Sequence, residues 1–282
     1  MILLDGRKVA DDLRAKLTLD IAEFTKKYHR KPCLKVIIVG NDPASLVYVK
    51  SKHTASQKVG MQSEIINLEA SVTQSQLESE IHKLNNDPNV DGILVQLPVP
   101  KHIDLTSVLK AIDPMKDADG LTFLSAGYLW SDFEHVKPCT PSGVIKILDF
   151  YNISVKGKRA VVIGRSQIVG KPMAALLLKK NATVTLAHSH TENLKQVIQE
   201  SEIVVVAAGK MNFFGVDYFN KNHVVVDVGI HKDEHGKIGG DVDFAAVSPI
   251  VKAITPVPGG VGPMTIACLL ENTVQLAKLR MK

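Results

Sequence analysis

"VVIGRSQIVGKP", residues 161–172, starts as an apolar run typical of a buried strand, continues as a turn with glycine and ends as the start of a helix. In this order, the backbone N–H groups at the start of the helix can hold a pyrophosphate. Gly164 allows the turn, Ser166 offers a small hydroxyl, and Gly170 lets helix and strand pack closely. The bare pattern GxSxxxG is weak, but the flanking strand and helix favour dinucleotide binding over a plain structural turn.

Runs rich in Val and Ile alternate with amphipathic stretches on both sides of this motif, a pattern typical of βαβ units and a parallel sheet. Before the motif, strands are predicted at 34–40, 63–68 and 90–98, with helices at 43–60, 73–86 and 103–111. From the motif onward, strands are predicted at 158–164, 182–187, 202–208 and 223–229, with a helix ending near Lys180. The sequence therefore predicts an α/β fold of two units joined near residue 120.

The segment "TPVPGGVGP", 255–263, is too rich in glycine and proline to form a helix or a central strand. The apolar residues of the following stretch, 264–279, recur with helical spacing and predict a last helix. We expect this helix to pack back on the first domain.

The bulk composition fits an ordinary globular protein. The chain has 282 residues, enough for about two domains that each bury a core. Apolar residues make up 45% and charged residues 22%, and the net charge of +5 arises from 34 basic and 29 acidic residues scattered along the chain. Since there is no basic run interleaved with aromatics, nucleic acid is not an expected partner.

The cysteines and the N-terminus favour a cytoplasmic protein. Cys33, Cys139 and Cys268 are too few for a disulfide framework and lack the paired spacing of a zinc site. The N-terminus turns charged at Asp5, so it lacks the apolar core of a signal peptide, and no apolar run approaches membrane length. We therefore expect no membrane partner.

Tyr48 and Lys52 lie four residues apart in a predicted helix, so the phenol and the ammonium share one face. Short-chain dehydrogenases use the same spacing for their catalytic pair, but there the glycine loop precedes the pair. Here the pair precedes the loop by more than a hundred residues and lies in the other predicted domain. The likeness to that family is a coincidence of spacing.

The strand after the glycine loop ends at "LAHSHT", 186–191, where an NAD-specific site would usually offer a carboxylate to the ribose hydroxyls. His188 and Ser189 stand there instead, and Arg165 is available from the glycine loop. Because no carboxylate would repel a 2′-phosphate, NADP is the predicted cofactor.

Longer motifs carry a resemblance to a known family and run nearly from end to end of the chain. They are "VGNDPASLVYVKSK" 39–52, "VDGILVQLPVPKHID" 90–104, "KDADGLT" 116–122, "PCTPSGV" 138–144, "GRSQIVGKP" 164–172, "GDVDF" 240–244 and "TPVPGGVGPMT" 255–265. The chain resembles the bifunctional methylenetetrahydrofolate dehydrogenase/methenyltetrahydrofolate cyclohydrolase family, FolD.

This resemblance implies an enzyme that oxidises 5,10-methylenetetrahydrofolate to the methenyl form with NADP and then hydrolyses it to 10-formyltetrahydrofolate, for purine, methionine and histidine synthesis. It also implies a homodimer. Residues 1–121 would form the N-terminal folate-binding catalytic domain, joined by helix 262–282, and residues 122–282 the NADP-binding Rossmann domain.

The resemblance also implies roles for single residues. Lys52 would be the catalytic base or polarising group, and Gln96 its hydrogen-bond partner. Tyr48 would pack against the folate, and Asp119 would grip the pterin. The residues implied to shape the substrate cleft are Gly259, Gly260 and Pro263. Those implied to bind the cofactor are Gly164, Arg165, Ser166, Ser189 and Ile230.

The chemistry explains why so few groups are needed. Loss of hydride from a methylene between two nitrogens gives a stabilised cation, so that step depends on positioning. Opening the methenyl cation with water does need proton transfer, which a lysine can supply if burial lowers its pKa toward neutrality. A glutamine beside it can orient the amine without adding charge.

Two alternatives stay open on the sequence alone: a dehydrogenase without useful cyclohydrolase activity, and a catalytically silent nucleotide-binding protein on the same fold. No metal is expected. His231 and His235 have the i, i+4 spacing of a zinc helix, but Gly229 and Gly236 flank them and favour a hairpin or loop.

Overall fold

The computed structural model of the chain describes residues 1–131 and 133–281. The strands, in chain order, are β1 (Ile2–Leu3), β2 (Cys33–Val39), β3 (Gln62–Leu68), β4 (Gly92–Val95), β5 (Arg159–Ile163), β6 (Thr183–Ala187), β7 (Ile203–Val206), β8 (Val224–Asp227), β9 (His231–Lys232), β10 (Ile238–Gly239) and β11 (Ala253–Ile254). The α-helices are α1 (Gly6–Tyr28), α2 (Pro43–Lys58), α3 (Gln74–Asn86), α4 (Leu105–Ala111), α5 (Phe123–Trp130), α6 (Cys139–Phe150), α7 (Gly170–Lys179), α8 (Leu194–Gln199), α9 (Phe244–Val247) and α10 (Val261–Arg280).

The chain divides into two compact units. The first, here called the six-stranded unit, contains Met1–Asp11 and Pro138–Thr265. The second, the three-stranded unit, contains Asp12–Lys137 and Ile266–Lys282. Each unit therefore draws on more than one stretch of the chain.

A parallel sheet of order β1-β11-β8-β7-β5-β6 forms the centre of the six-stranded unit. Strands β7 and β8 are buried along their whole length, as expected for valine-rich strands of a parallel sheet that is covered on both faces. The strand order reverses at β5, which has β6 on one side and β7 on the other. In such sheets ligands bind at the carboxyl ends of the strands beside the reversal.

The three-stranded unit contains a parallel sheet of order β3-β2-β4. Its core joins the sheet to α3 and α4 through Ile37, Leu77, Ile81, Ile93 and Val108, all of which are buried. The apolar residues of α3 recur at helical spacing and face this core. The candidate site described below lies at the carboxyl end of β4, where the peptide chain leaves the core.

The last helix, α10, runs back to the three-stranded unit, as the sequence predicted. Near its end, Lys278 forms an ion pair with Asp20 of α1 at 3.2 Å. Further up, the Asn272 side chain donates to the carbonyl oxygens of Ala118 (2.9 Å) and Lys137 (2.8 Å). These contacts confirm the predicted two-domain α/β fold in which the C-terminal helix joins the N-terminal domain.

The start of this helix predicted from composition was incorrect, whereas the helix 262–282 implied by the resemblance begins one residue from the observed start. The helix begins at Val261, inside the segment 255–263 that we expected to be free of helix. Pro263 is then in the first helical turn, where a residue needs no backbone N–H for the helix. Within the described residues, no helix combines the length and the apolar character needed to cross a membrane.

Candidate active site

Lys52 and Gln96 meet in the three-stranded unit. Lys52 lies on the inner face of α2 and is only 9% exposed. Its Nζ donates to Oε1 of Gln96 at 2.8 Å. Gln96 directly follows β4, and its Nε2 donates to the carbonyl oxygen of Leu97 at 2.6 Å. Because the amide nitrogen is occupied in this way, the amide oxygen is the atom presented to the lysine.

The sequence folds α2 so that this lysine faces inward. Asp42 caps the helix by accepting from the backbone N–H of Ser45 at 2.8 Å, and Pro43 occupies the first helical position, where proline is favoured. Lysine is rarely buried, and here Nζ donates to a neutral amide. Such a group can take up or release a proton at Nζ while the amide holds it in one orientation.

Tyr48 lies one helical turn before Lys52 and is half-buried. Burial raises the pKa of its phenol, so the ring stays neutral at physiological pH. Lys50, between the two, points to solvent and is not part of this face. Tyr48 therefore offers a neutral aromatic surface beside the lysine.

Asp119 lies in a loop that a buried neighbour, Asp117, holds in place. The Asp117 carboxylate accepts from the backbone N–H groups of Gly120 (2.9 Å) and Thr122 (2.7 Å) and from the Ser125 hydroxyl (2.7 Å). Asp119 lines a small pocket together with Leu97, the residue after Gln96. The structure thus brings Asp119 to the same end of β4 as Gln96.

No role was predicted for Asp117 from the sequence. A signal was available, because an aspartate placed three residues before a glycine often accepts from backbone N–H groups of the turn that follows.

Gly259, Gly260 and Pro263 lie in the other unit, the six-stranded one. Gly259 has a φ of +109°, which glycine alone adopts easily, and its carbonyl oxygen accepts from the backbone N–H of Arg7 at 3.1 Å. A Cβ at Gly6 would be 1.8 Å from the carbonyl oxygen of Gly260. This turn is therefore packed closely against the start of α1, within its own unit.

The glycine loop after β5 has the shape expected of a dinucleotide cradle. Gly164 has a φ of +123°, and a Cβ there would be 2.1 Å from the carbonyl oxygen of Ala207. A Cβ at Gly170 would be 1.9 Å from the Gly164 carbonyl oxygen. Ser166 Oγ accepts from the backbone N–H of Gly170 at 3.4 Å, at the start of α7. The loop thus has room only for glycine at two positions and leaves a helix N-terminus for a phosphate, so it fits a dinucleotide.

Arg165, Ser189 and Ile230 are exposed and follow β5, β6 and β8, respectively. Pairing of Ile163 with Ala187 puts the ends of β5 and β6 side by side, so the loops with Arg165 and Ser189 start next to each other. All the predicted cofactor residues therefore belong to the carboxyl edge of the six-stranded sheet.

Two buried carboxylates also stand at this edge. Asp227 ends β8, and burial raises its pKa to about 6. Asp241, fully buried, accepts from His231 Nε2 at 2.7 Å. Neither carboxylate was predicted from the sequence to have a role. His231 lies in an antiparallel hairpin of β9 and β10, which confirms the predicted hairpin.

The comparisons with known proteins agree on one family. Residues 4–119 match the family model of the tetrahydrofolate dehydrogenase/cyclohydrolase catalytic domain, and residues 138–281 match that of the corresponding NAD(P)-binding domain. The "Bifunctional protein FolD" of Bdellovibrio bacteriovorus is 53% identical over 281 residues, which cover 99% of this chain and 98% of that protein.

Solved structures agree with the sequence match. The bifunctional FolD methylenetetrahydrofolate dehydrogenase/cyclohydrolase of Campylobacter jejuni is 47% identical, covers 99% of both chains and superposes with a TM-score of 0.96. The methylenetetrahydrofolate dehydrogenase-cyclohydrolase (FolD) of Trypanosoma brucei, complexed with NADP and an inhibitor, is 37% identical, with a TM-score of 0.95 over 100% of this chain and 99% of that one. The chain therefore belongs to the tetrahydrofolate dehydrogenase/cyclohydrolase family.

Proposed function

We propose that the protein is a bifunctional enzyme that oxidises 5,10-methylenetetrahydrofolate to 5,10-methenyltetrahydrofolate with NADP and hydrolyses the product to 10-formyltetrahydrofolate. The observation that carries the proposal is the 2.8 Å hydrogen bond between a buried lysine, Lys52, and the neutral amide of Gln96. Family membership over nearly the whole chain supports both activities.

In the oxidation, a C–H bond of the methylene bridge breaks, and the hydride leaves with both bonding electrons. The two flanking nitrogens stabilise the methenyl cation that remains. The cofactor, when bound, supplies the acceptor for this hydride. We assign the protein side of the step to positioning: Tyr48 offers its neutral ring to the folate, and Asp119 offers a carboxylate to the pterin.

In the hydrolysis, water adds to the methenyl carbon and loses a proton, and a C–N bond then breaks as its nitrogen takes up a proton. We assign both proton transfers to Nζ of Lys52, which can accept the first proton and return one to the leaving nitrogen. Gln96 keeps the amine in one orientation. Gly259, Gly260 and Pro263 would shape the turn that borders the substrate.

For the cofactor we propose NADP rather than NAD. Gly164, Ser166 and the start of α7 would hold the pyrophosphate, and Ile230, exposed after β8 at the same edge, would contact the cofactor. Arg165 and Ser189 are exposed at adjacent strand ends, where the ribose 2′-phosphate of NADP would need a cation and a hydroxyl. The NADP bound by the Trypanosoma brucei relative supports this choice.

We further propose that the three-stranded unit is the folate-binding catalytic domain and the six-stranded unit the NADP-binding domain. The proposed assembly is a homodimer. The proposed location is the cytoplasm, because Cys33, Cys139 and Cys268 are buried thiols and form no disulfide framework. Light scattering that gave the mass of a single chain at working concentration would contradict the dimer.

Substitution of Lys52 by Met tests the central assignment. We expect Lys52→Met to lose cyclohydrolase turnover by at least about a hundredfold, the usual contribution of a general acid–base group, and to keep measurable dehydrogenase activity. The measurement is absorbance with 5,10-methylenetetrahydrofolate and NADP, which follows NADPH and methenyl product separately. The wild type should form NADPH without accumulating methenyl product, and the variant should accumulate it.

Lys50→Met is the matched control, because Lys50 is on the same helix but exposed. It should behave as the wild type. Full cyclohydrolase turnover in Lys52→Met would contradict the role of the lysine. Failure of the wild type to form NADPH or NADH with either cofactor would contradict the dehydrogenase.

A further inference from the structure

Asp241 connects two loops at the carboxyl edge of the six-stranded sheet. One oxygen, Oδ2, accepts from the backbone N–H groups of Ala208 (2.6 Å) and Gly209 (3.1 Å). The other, Oδ1, accepts from the backbone N–H of Lys210 (2.8 Å) and from His231 Nε2 (2.7 Å). A single buried carboxylate thus accepts from three consecutive N–H groups of the loop after β7 and from a side chain at the start of β9, where the loop after β8 ends.

The loop after β7 touches the glycine loop. Its first residue, Ala207, donates from its backbone N–H to the carbonyl oxygen of Ile163 at 2.8 Å, and its own carbonyl oxygen leaves no room for a Cβ at Gly164. The three N–H groups bound by Asp241 follow directly in the chain. A displacement of the Asp241 carboxylate would therefore also displace, through this backbone, the turn that would hold the pyrophosphate.

The loop after β8 is held just as closely. A Cβ at Gly229 would be 2.5 Å from Cγ of Asp241, so the backbone packs directly on the carboxylate. Ile230, exposed at the proposed cofactor site, lies between this glycine and His231. Since both of its neighbours contact Asp241, the direction of the Ile230 side chain depends on that carboxylate.

Asp241 is itself fixed by Asp227. The Asp227 carboxylate accepts from the backbone N–H groups of Gly229 (2.9 Å), Asp241 (3.1 Å) and Val242 (2.9 Å). A Cβ at Gly240 would be 2.0 Å from Oδ2 of Asp227. The segment with Asp241 can thus approach the sheet only with glycine at position 240.

We infer that Asp241 is a positioning residue for the cofactor: its carboxylate holds the loop after β7 and, with His231, the loop after β8 in the shape that receives the dinucleotide. The inference rests on the dehydrogenase function proposed above. It assigns Asp241 a role in cofactor binding and none in proton transfer.

Substitution of Asp241 by Asn tests the inference, because an amide nitrogen would turn a donor toward N–H groups that need an acceptor. We expect the dissociation constant for NADP, measured by calorimetry, and the KM for NADP to rise at least about tenfold, the effect of one lost charge-assisted hydrogen bond. Turnover of added methenyltetrahydrofolate, which needs no cofactor, should persist in the same preparation. Asp217→Asn, an exposed carboxylate of the same unit, is the control and should leave both unchanged.

Unchanged NADP affinity in Asp241→Asn, or an equal loss of cofactor binding and cofactor-free hydrolysis, would overturn the inference, since the latter marks a purely structural role. If Asp241→Asn does not fold, His231→Ala provides a second test of the inference. His231 is partly exposed, and its loss should weaken NADP binding roughly threefold, the effect of one ordinary hydrogen bond. Unchanged affinity there would count against the inference. A wild type that binds NADP but oxidises no folate would contradict the proposed function, while the binding comparison would still decide the role of Asp241.

Discussion

At Lys52 the neutral partner matters as much as the burial. A carboxylate in place of Gln96 would pair with the ammonium and favour the charged lysine, whereas an amide orients Nζ without adding charge. The remaining hydrogen bond of Gln96, to the carbonyl oxygen of Leu97, keeps the amide from rotating. The proposed proton exchange at Lys52 therefore depends on an uncharged residue at position 96.

Asp227 is the residue for which the structure predicts a pH effect on stability. Burial raises the pKa of its carboxyl from the ordinary 3.8 to about 6 in the folded protein, although three backbone N–H groups favour the ionised form. Between these pH values the folded protein keeps a proton that the unfolded chain releases. The stabilisation from this proton is fully present below about pH 4 and is lost as pH rises through about 6.

We therefore expect the free energy of unfolding of the wild type, relative to Asp227→Asn, to fall by up to about 3 kcal/mol from about pH 4 to about pH 7. Urea unfolding at a series of pH values measures this difference, and the contributions of carboxyls that do not interact with Asp227 cancel in it. Parallel curves for the two proteins would show that Asp227 has an ordinary pKa.

At the scale of elements, α3 shows how local sequence determines where a helix starts. Thr73 Oγ1 accepts from the backbone N–H of Gln76 at 3.3 Å, and Gln76 Oε1 accepts from the backbone N–H of Thr73 at 3.0 Å. This reciprocal capping box satisfies two N–H groups that the helix cannot bond itself. Leu77 and Ile81 then bury the inner face against the sheet.

Thr73→Ala should lower the free energy of unfolding by about 1 kcal/mol, because it removes the side-chain acceptor at the N-cap. Ser79→Ala, at an exposed position in the middle of α3, should change it by less than about 0.5 kcal/mol. Urea unfolding of both variants gives the comparison. An equal effect of the two substitutions would mean that the cap does not stabilise the helix.

At the scale of the whole molecule, the two ends of the chain belong to different units. Strand β1 pairs with β11 in the six-stranded sheet, whereas the end of α10 belongs to the three-stranded unit. Asp91, which is fully buried, holds that end of the helix. It accepts from both terminal nitrogens of Arg30 at 2.7 Å and from Arg280 Nη1 at 3.2 Å.

Arg280→Ala should cost about 2 kcal/mol or more, because Arg280 also donates to the carbonyl oxygens of Pro88 and Val90, which would lose that partner. Hydrogen exchange of the last turn of α10 should become faster. Lys278→Ala is the control: its ion pair with Asp20 is about half exposed and should contribute under about 1 kcal/mol. The same loss for both variants in urea unfolding would contradict a special role for Arg280.

The sequence by itself determined the alternation of strands and helices over residues 34–111 and 158–229, the two-domain α/β class, the glycine loop and the family, because these depend on periodicity and on residue types at short spacing. It predicted neither α1 nor the two-residue strands β1 and β11. The composition of 255–263 also hid the helical start at Val261, since sequence alone does not distinguish a proline in the first turn of a helix from one in a loop.

Only the tertiary structure decided which distant groups meet. Lys52 and Gln96 are 44 residues apart, and Asp91 and Arg280 are 189 apart. Asp241 reaches the loop after β7 from more than thirty residues away. Such contacts follow from strand order and from the register of neighbouring strands, which bring the ends of β7 and β8 to one edge of the sheet. Because neither property is encoded within a short stretch, the role of Asp241 could be read only from the folded chain.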